Sequence, residues 1–152
     1  MSTSQIKKAT AAFSIFALGI VIGGIPGYSQ SDREIPTEHK GLSVTLLGVV
    51  GEESLQKQIG LSGYEIRLRE IVIEPGGQIA RHSHAARPGV VQVISGTYTE
   101  GRAAGEGMKP TVTDYPAGKK VALLETWDTE HWGWNTGSEP AHILACDLAP
   151  PS

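Results

Sequence analysis

Pro75-Gly76-Gly77-Gln78-Ile79-Ala80-Arg81-His82-Ser83-His84, closed by Gly96 and followed far downstream by His131-Trp132-Gly133-Trp134-Asn135, is the stretch on which the reading of this chain turns. Side chains two apart on a strand share a face, so His82 and His84 point the same way. A third histidine returning from another strand completes a set of three imidazoles, enough to hold a metal ion with positions left open. His131 is the candidate, and the expectation is a metal centre inside a β-barrel.

The rest of the chain suits strands better than helices. Glycine and proline are frequent, aromatic residues are few, and no long stretch after residue 40 carries a helical repeat. Strands are expected over 43–50, 64–74, 90–95, 97–100, 111–115, 120–126, 131–134 and 141–148, with residues 54–63 a loop or helical turn on the barrel's rim. Gly96 should mark a turn or bulge between paired strands. Along 64–74 neither face is cleanly apolar: Tyr64, Ile66, Leu68, Glu70 and Val72 alternate with Glu65, Arg67, Arg69, Ile71 and Ile73. Three readings follow: an edge crossing between sheets, polar groups directed into a cavity or, as favoured here, Arg67 and Arg69 paired with carboxylates on a wet face.

Residues 1–29 read as a secretory signal. Lys7 and Lys8 precede an apolar run over 9–25, and Gly27 and Ser29 offer small residues for cleavage. The competing reading is an uncleaved anchor, since seventeen mostly apolar positions approach a membrane span. Residues 30–42 then form a linker and 43–150 one domain. Without the signal the chain carries eleven Lys and Arg against sixteen Asp and Glu, a net of −5. An acidic domain without a basic stripe is a poor nucleic-acid binder. Cys146 is the single cysteine, so no internal disulfide can form and folding rests on burial.

These residues resemble the cupin superfamily over most of the chain, from about residue 65 to 148. The family's first motif is a glycine, five residues, HxH, three or four residues, a glutamate, six residues and a glycine; Gly76, His82, His84 and Gly96 match it. Its second motif, PxG followed by a histidine and then an asparagine, is met by Pro116, Gly118, His131 and Asn135, with twelve residues between Gly118 and His131 in place of about two. The resemblance implies an all-β fold, the cupin double-stranded β-helix or jelly-roll barrel. It implies oxygenases, isomerases, lyases and decarboxylases as precedents, and a homodimer; Trp132 and Trp134, opposite His131 in strand parity, are read as inter-sheet or interface packing, the second giving such a dimer apolar surface.

One departure matters most. Where the family places its metal-binding glutamate, this chain has Gly89. The implied ligand set is reduced to His82, His84 and His131, still workable for a divalent transition metal such as Fe, Mn, Zn, Ni or Cu. Gln92 falls on the wrong strand parity to replace the carboxylate unless a bulge intervenes. Glu125, six residues before His131, is the candidate catalytic residue, as general base or additional ligand, against a solvated strand-end charge. Glu130 should point away from the site. His39 and His142 lie outside the motifs, and His142 shares a face with Leu144, Cys146 and Leu148, which suggests core packing or a hydrogen-bonded strand position. Trp127 is placed at the pocket rim, and Asn135 is expected to anchor a turn or support the site from behind.

The functional expectation is an exported, periplasmic or secreted, metal-binding protein. Its partner is a small-molecule ligand or substrate, with no nucleic acid and no membrane after signal removal. It is an enzyme of oxygenase or isomerase/lyase type, or else a non-catalytic ligand- or metal-binding module, or a decayed structural barrel.

Overall fold

The computed structural model describes residues 33–151. Eight strands and one helix follow in order: β1 (Lys40–Val50), α1 (Glu52–Ile59), β2 (Glu65–Ser83), β3 (Gly89–Ser95), β4 (Thr97–Arg102), β5 (Thr111–Pro116), β6 (Leu123–Glu125), β7 (Glu130–Trp134) and β8 (Ala141–Ala149). The sheet runs β5-β4-β7-β2-β8-β3-β6, with β1 also on β2, and every pairing is antiparallel. The predicted signal lies outside the described residues, and among those described no helix is long and apolar enough to cross a membrane.

The 19-residue strand β2 belongs to both halves of the curled sheet. Its first part, 65–73, lies between β1 and β8; its last part, 78–83, pairs with β7. Pro75-Gly76-Gly77 is the bend between them. Gly76 takes a φ of 72° there, which a glycine adopts without strain. Asn135 fastens the bend: its backbone N–H donates to Gly77 O at 3.0 Å, its side-chain amide to Ile73 O at 2.8 Å and Glu139 O at 2.7 Å, and its Oδ1 accepts from the Gly137 N–H. It anchors a turn, as one of the two expectations had it.

Several sequence expectations need correcting. Gly96, with φ of 70°, does not join paired strands: β3 pairs with β6 and β8, whereas β4 pairs with β5 and β7. The chain crosses there from one half of the curled sheet to the other, a distinction local turn chemistry does not carry. On β8 the buried positions are Ala141, Ile143, Ala145, Asp147 and Ala149. The opposite face, with His142, Leu144, Cys146 and Leu148, is outward, and His142 is the hydrogen-bonded strand residue, its Nδ1 3.0 Å from Glu70 Oε1. Hydrophobicity misleads here because the inner face uses small alanines. Residues 120–126 yield only a three-residue strand, and residues 54–63 contribute to helix α1, whose Leu55 is buried.

The core joins Ile73, Val91, Val93, Tyr98, Leu123, Ala141, Ile143 and Ala145 between the layers. Trp132 and Trp134 are buried as well, 2% and 7% exposed, so they pack within the protein and give no outer surface for a dimer. Trp132 lies so close over Gly101 that a Cβ there would meet its indole. Trp127 is 79% exposed and does not line the cavity.

Candidate metal centre

Strand β2 delivers His82 and His84, and β7, its neighbour, delivers His131 directly opposite His82. The three Nε2 atoms form a nearly equilateral triangle: 3.0 Å from His84 to His82, 3.0 Å from His84 to His131, and 3.1 Å from His131 to His82. These residues are the one group of histidine, cysteine or acidic side chains among those described that is disposed to hold a metal ion.

Their other ring nitrogens decide what the triangle is. His82 Nδ1 lies 2.8 Å from Ala80 O, His84 Nδ1 3.0 Å from Arg87 O, and His131 Nδ1 2.7 Å from Glu100 Oε1. Each of these oxygens can only accept, so each Nδ1 carries the proton and donates. A neutral ring then has a bare lone pair at Nε2. Where all three rings are neutral, three lone pairs face one another at hydrogen-bond distance with no proton between them. Such an arrangement is repulsive by itself and is relieved by a cation to which all three can donate. Nitrogens this close together can all reach one ion at the roughly 2.0–2.1 Å of a metal–imidazole bond.

Burial lowers the pKa of both His82 and His84 to about 4, so both rings are neutral at pH 7. Between the ordinary value of 6.5 and about 4, the unfolded chain takes up protons that the folded chain refuses. The stability this contributes is complete above pH 6.5 and is lost as pH falls through about 4. Glu125, whose pKa is raised by burial, acts in the opposite sense at the acidic end of that window. The metal-free protein is expected to show a urea midpoint that declines from pH 6.5 to 4; a flat midpoint there contradicts neutral histidines.

Glu100 is a site residue that the sequence did not single out. It is 3% exposed and bound by His131 and Arg102. Burial opposes its charge, but those two hydrogen bonds outweigh burial and hold its pKa below the ordinary range. Only the pairing of β4 with β7 brings it to His131. Glu100→Gln is expected to weaken metal affinity about 10–100-fold, the usual cost of removing a carboxylate that orients a liganding histidine, as measured by competition with a chelating dye.

The missing carboxylate is also located. Glu125 on β6 pairs directly with Gly89 on β3. A Cβ built on Gly89 would lie 2.7 Å from Glu125 Oε2, so the carboxylate occupies the space where a residue-89 side chain would start. Glu125 Oε2 is 3.1 Å from His84 Nδ1 and Oε1 is 3.7 Å from His131 Nε2. The side chain is 7% exposed, not the solvated strand-end charge weighed against it. Gln92, by contrast, bonds to the carbonyls of Val93 and Lys119, and Glu130 pairs with Arg81 away from the site.

A cavity of about 260 Å³ opens onto the three histidines and Glu125. Ile71, Ile79, Leu123 and Ile143 are among its apolar walls; Arg69, Arg87 and His39 also line it. Arg69 is therefore paired with a carboxylate, as expected, but beside the cavity and not on a wet face. It reaches across β8 to Asp147, Nη2 to Oδ2 at 2.7 Å. His39, outside the motifs, accepts the Ala80 N–H at Nδ1 beside the cavity.

No family model and no curated protein matches the sequence. Solved structures do resemble the fold. The chain is similar to the formate complex of Lactobacillus farciminis oxalate decarboxylase, at 19% identity and a TM-score of 0.54 over 76% of this chain and 31% of that one. It is similar to an oxalate oxidase, at 18% identity and a TM-score of 0.52 over 78% of this chain and 54% of the other. A Cupin_2 domain of an XRE family transcriptional regulator from Enterobacter cloacae is covered completely, at 18% identity and a TM-score of 0.51 over 74% of this chain. The chain thus spans about half the length of the oxalate oxidase. Likeness at these identities is a likeness of fold.

Proposed function

We propose that this chain, whose barrel has the cupin fold, binds one divalent transition metal through His82, His84 and His131 and acts on a small organic molecule in the adjoining cavity. The observation that carries this reading is the triangle of three Nε2 atoms, each ring turned inward by an acceptor on its other nitrogen. Oxalate oxidase and oxalate decarboxylase among the structural neighbours make a metal-dependent enzyme of oxygenase or isomerase/lyase type a consistent reading.

A bound ion of this kind supplies Lewis-acid or redox chemistry. The chain's residues do the rest. Glu100 and the Ala80 and Arg87 carbonyls fix the three rings and their protons. Glu125 is the general base or an additional ligand: its carboxylate stands at the edge of the nitrogen triangle, and burial raises its affinity for a proton. The apolar walls exclude water from the reacting atoms.

Two further parts of the reading concern the chain's setting. Lys7, Lys8 and the apolar run over 9–25 support export to the periplasm or beyond. A homodimer is supported by β1, which pairs only with β2 among the described strands and exposes Val44, Leu46, Leu47, Val49 and Val50.

Metal analysis of the purified chain by mass spectrometry tests the proposal, before and after stripping with a chelator and reloading. One equivalent per chain, lost and regained, is the expected result. A chain that takes up no stoichiometric metal overturns it.

A further inference from the structure

Resting on the cavity of that reading, we propose that the ligand is a small organic acid with an apolar body, its carboxylate held by the Arg87 guanidinium.

Cations lining a largely apolar cavity need a reason, because leaving a charge there without a partner is costly. Arg69 has one: its guanidinium is committed to Asp147, whose side chain is 1% exposed. Arg87 is paired more loosely: its Nε lies 3.5 Å from the same Asp147 oxygen, and its terminal amino groups have no hydrogen-bond partner among the described residues. The nearby carboxylate of Glu125 feels the Arg87 charge but forms no ion pair with it among the described residues. Arg87 is therefore the less committed cation at the cavity, two-thirds buried and with its terminal amino groups open to a second carboxylate.

Arg87 is also held in place. Its N–H donates to His84 O at 2.9 Å and its carbonyl accepts from His84 Nδ1, so the same turn orients a proposed metal ligand and presents the guanidinium. The following residue is tied to β8, Leu148 N–H donating to Pro88 O at 3.0 Å. A loosely paired but pre-positioned guanidinium suits a carboxylate, which it can grip with two parallel hydrogen bonds.

The apolar walls set the body of the ligand: Leu42, Val44, Ile71, Ile79, Leu123 and Ile143 offer no polar partner, and beside them Tyr98 donates its hydroxyl to Trp132 O while His39 Nδ1 accepts the Ala80 N–H. A phosphate or a compact dianion would leave most of its oxygens unsatisfied against them. The volume of about 260 Å³ is that of roughly nine waters, room for an acid on the order of ten non-hydrogen atoms.

Titration calorimetry with hexanoate, benzoate, hexanamide, benzamide and oxalate tests this, on the metal-loaded and metal-stripped wild type and on Arg87→Gln and Arg87→Lys chains of verified thermal midpoint and metal content. The wild type is expected to bind the two apolar acids at least about tenfold more tightly than their amides and than oxalate. Arg87→Gln should abolish the acid-over-amide preference, and Arg87→Lys should keep part of it. Equal affinity for acid and amide in the wild type, no binding of either acid, tighter binding of oxalate, or a preference surviving in Arg87→Gln each overturns the proposal. The two readings fail separately: an Arg87-dependent acid preference in a chain that takes up no metal supports this proposal while refuting the metal reading. A stoichiometric metal with no acid preference does the reverse.

Discussion

Gly89→Glu is expected to destabilise the protein by about 1–3 kcal/mol, the usual cost of overpacking a filled interior, and to lower its metal affinity. The same substitution combined with Glu125→Gly is expected to recover most of both. The reason lies in one row of the sheet, where Asp147, Gly89 and Glu125 are direct neighbours on β8, β3 and β6. A Cβ at residue 89 would meet Glu125 Oε2 at 2.7 Å and Asp147 Cβ at 3.2 Å, so two carboxylates would compete for one space and repel. Glu125 is the flexible partner and is pushed out. In the double variant the carboxylate enters the same space from the opposite strand, the arrangement that the cupin motif describes. Coupling between the two sites should amount to roughly 0.5–3 kcal/mol, measured by urea denaturation and chelator competition in a double-mutant cycle. Additive effects would mean that the two residues do not share the space.

The second large effect concerns the histidines. A His82→Ala/His84→Ala chain is expected to lose stoichiometric metal, because a single remaining imidazole cannot retain an ion against solvent and buffer. The loss should also appear in stability. An ion present at about a thousandfold over its dissociation constant stabilises the folded chain by about 4 kcal/mol. The wild type should therefore unfold at clearly higher temperature when loaded than when stripped, and the double variant should show no such difference in differential scanning calorimetry. A variant that keeps one equivalent of metal, or a wild type indifferent to it, refutes the assignment of these residues.

The proposed ligands were legible because their spacing is local. His82 and His84 share a face by strand parity, and the flanking Gly76 and Gly96 occupy positions where positive φ is needed. Glu125 was reachable as a candidate, but nothing in one strand says which residue of another it opposes. Glu100, Arg87 and Asp147 carried no usable signal, and Arg69 was legible as a cavity-facing or paired cation but not its partner. Their importance comes from pairings between segments as distant as β2 and β8, where Arg69 and Asp147 lie 78 positions apart. The alanine face of β8 misled for a related reason: residue type suggests whether a side chain prefers burial, not which face the barrel closes over.

By itself the sequence determined the β-rich class, the jelly-roll resemblance, the trio of candidate histidines and the absence of a glutamate at residue 89, all of them properties of composition or short-range spacing. Only the tertiary structure decided that Glu125 fills the space over Gly89, that Glu100 holds His131, and that Arg87 is left without a full partner beside an apolar cavity. Register across strands is set by the packing of the whole barrel. A carboxylate missing from one strand can therefore be supplied by its neighbour without leaving a trace in the motif.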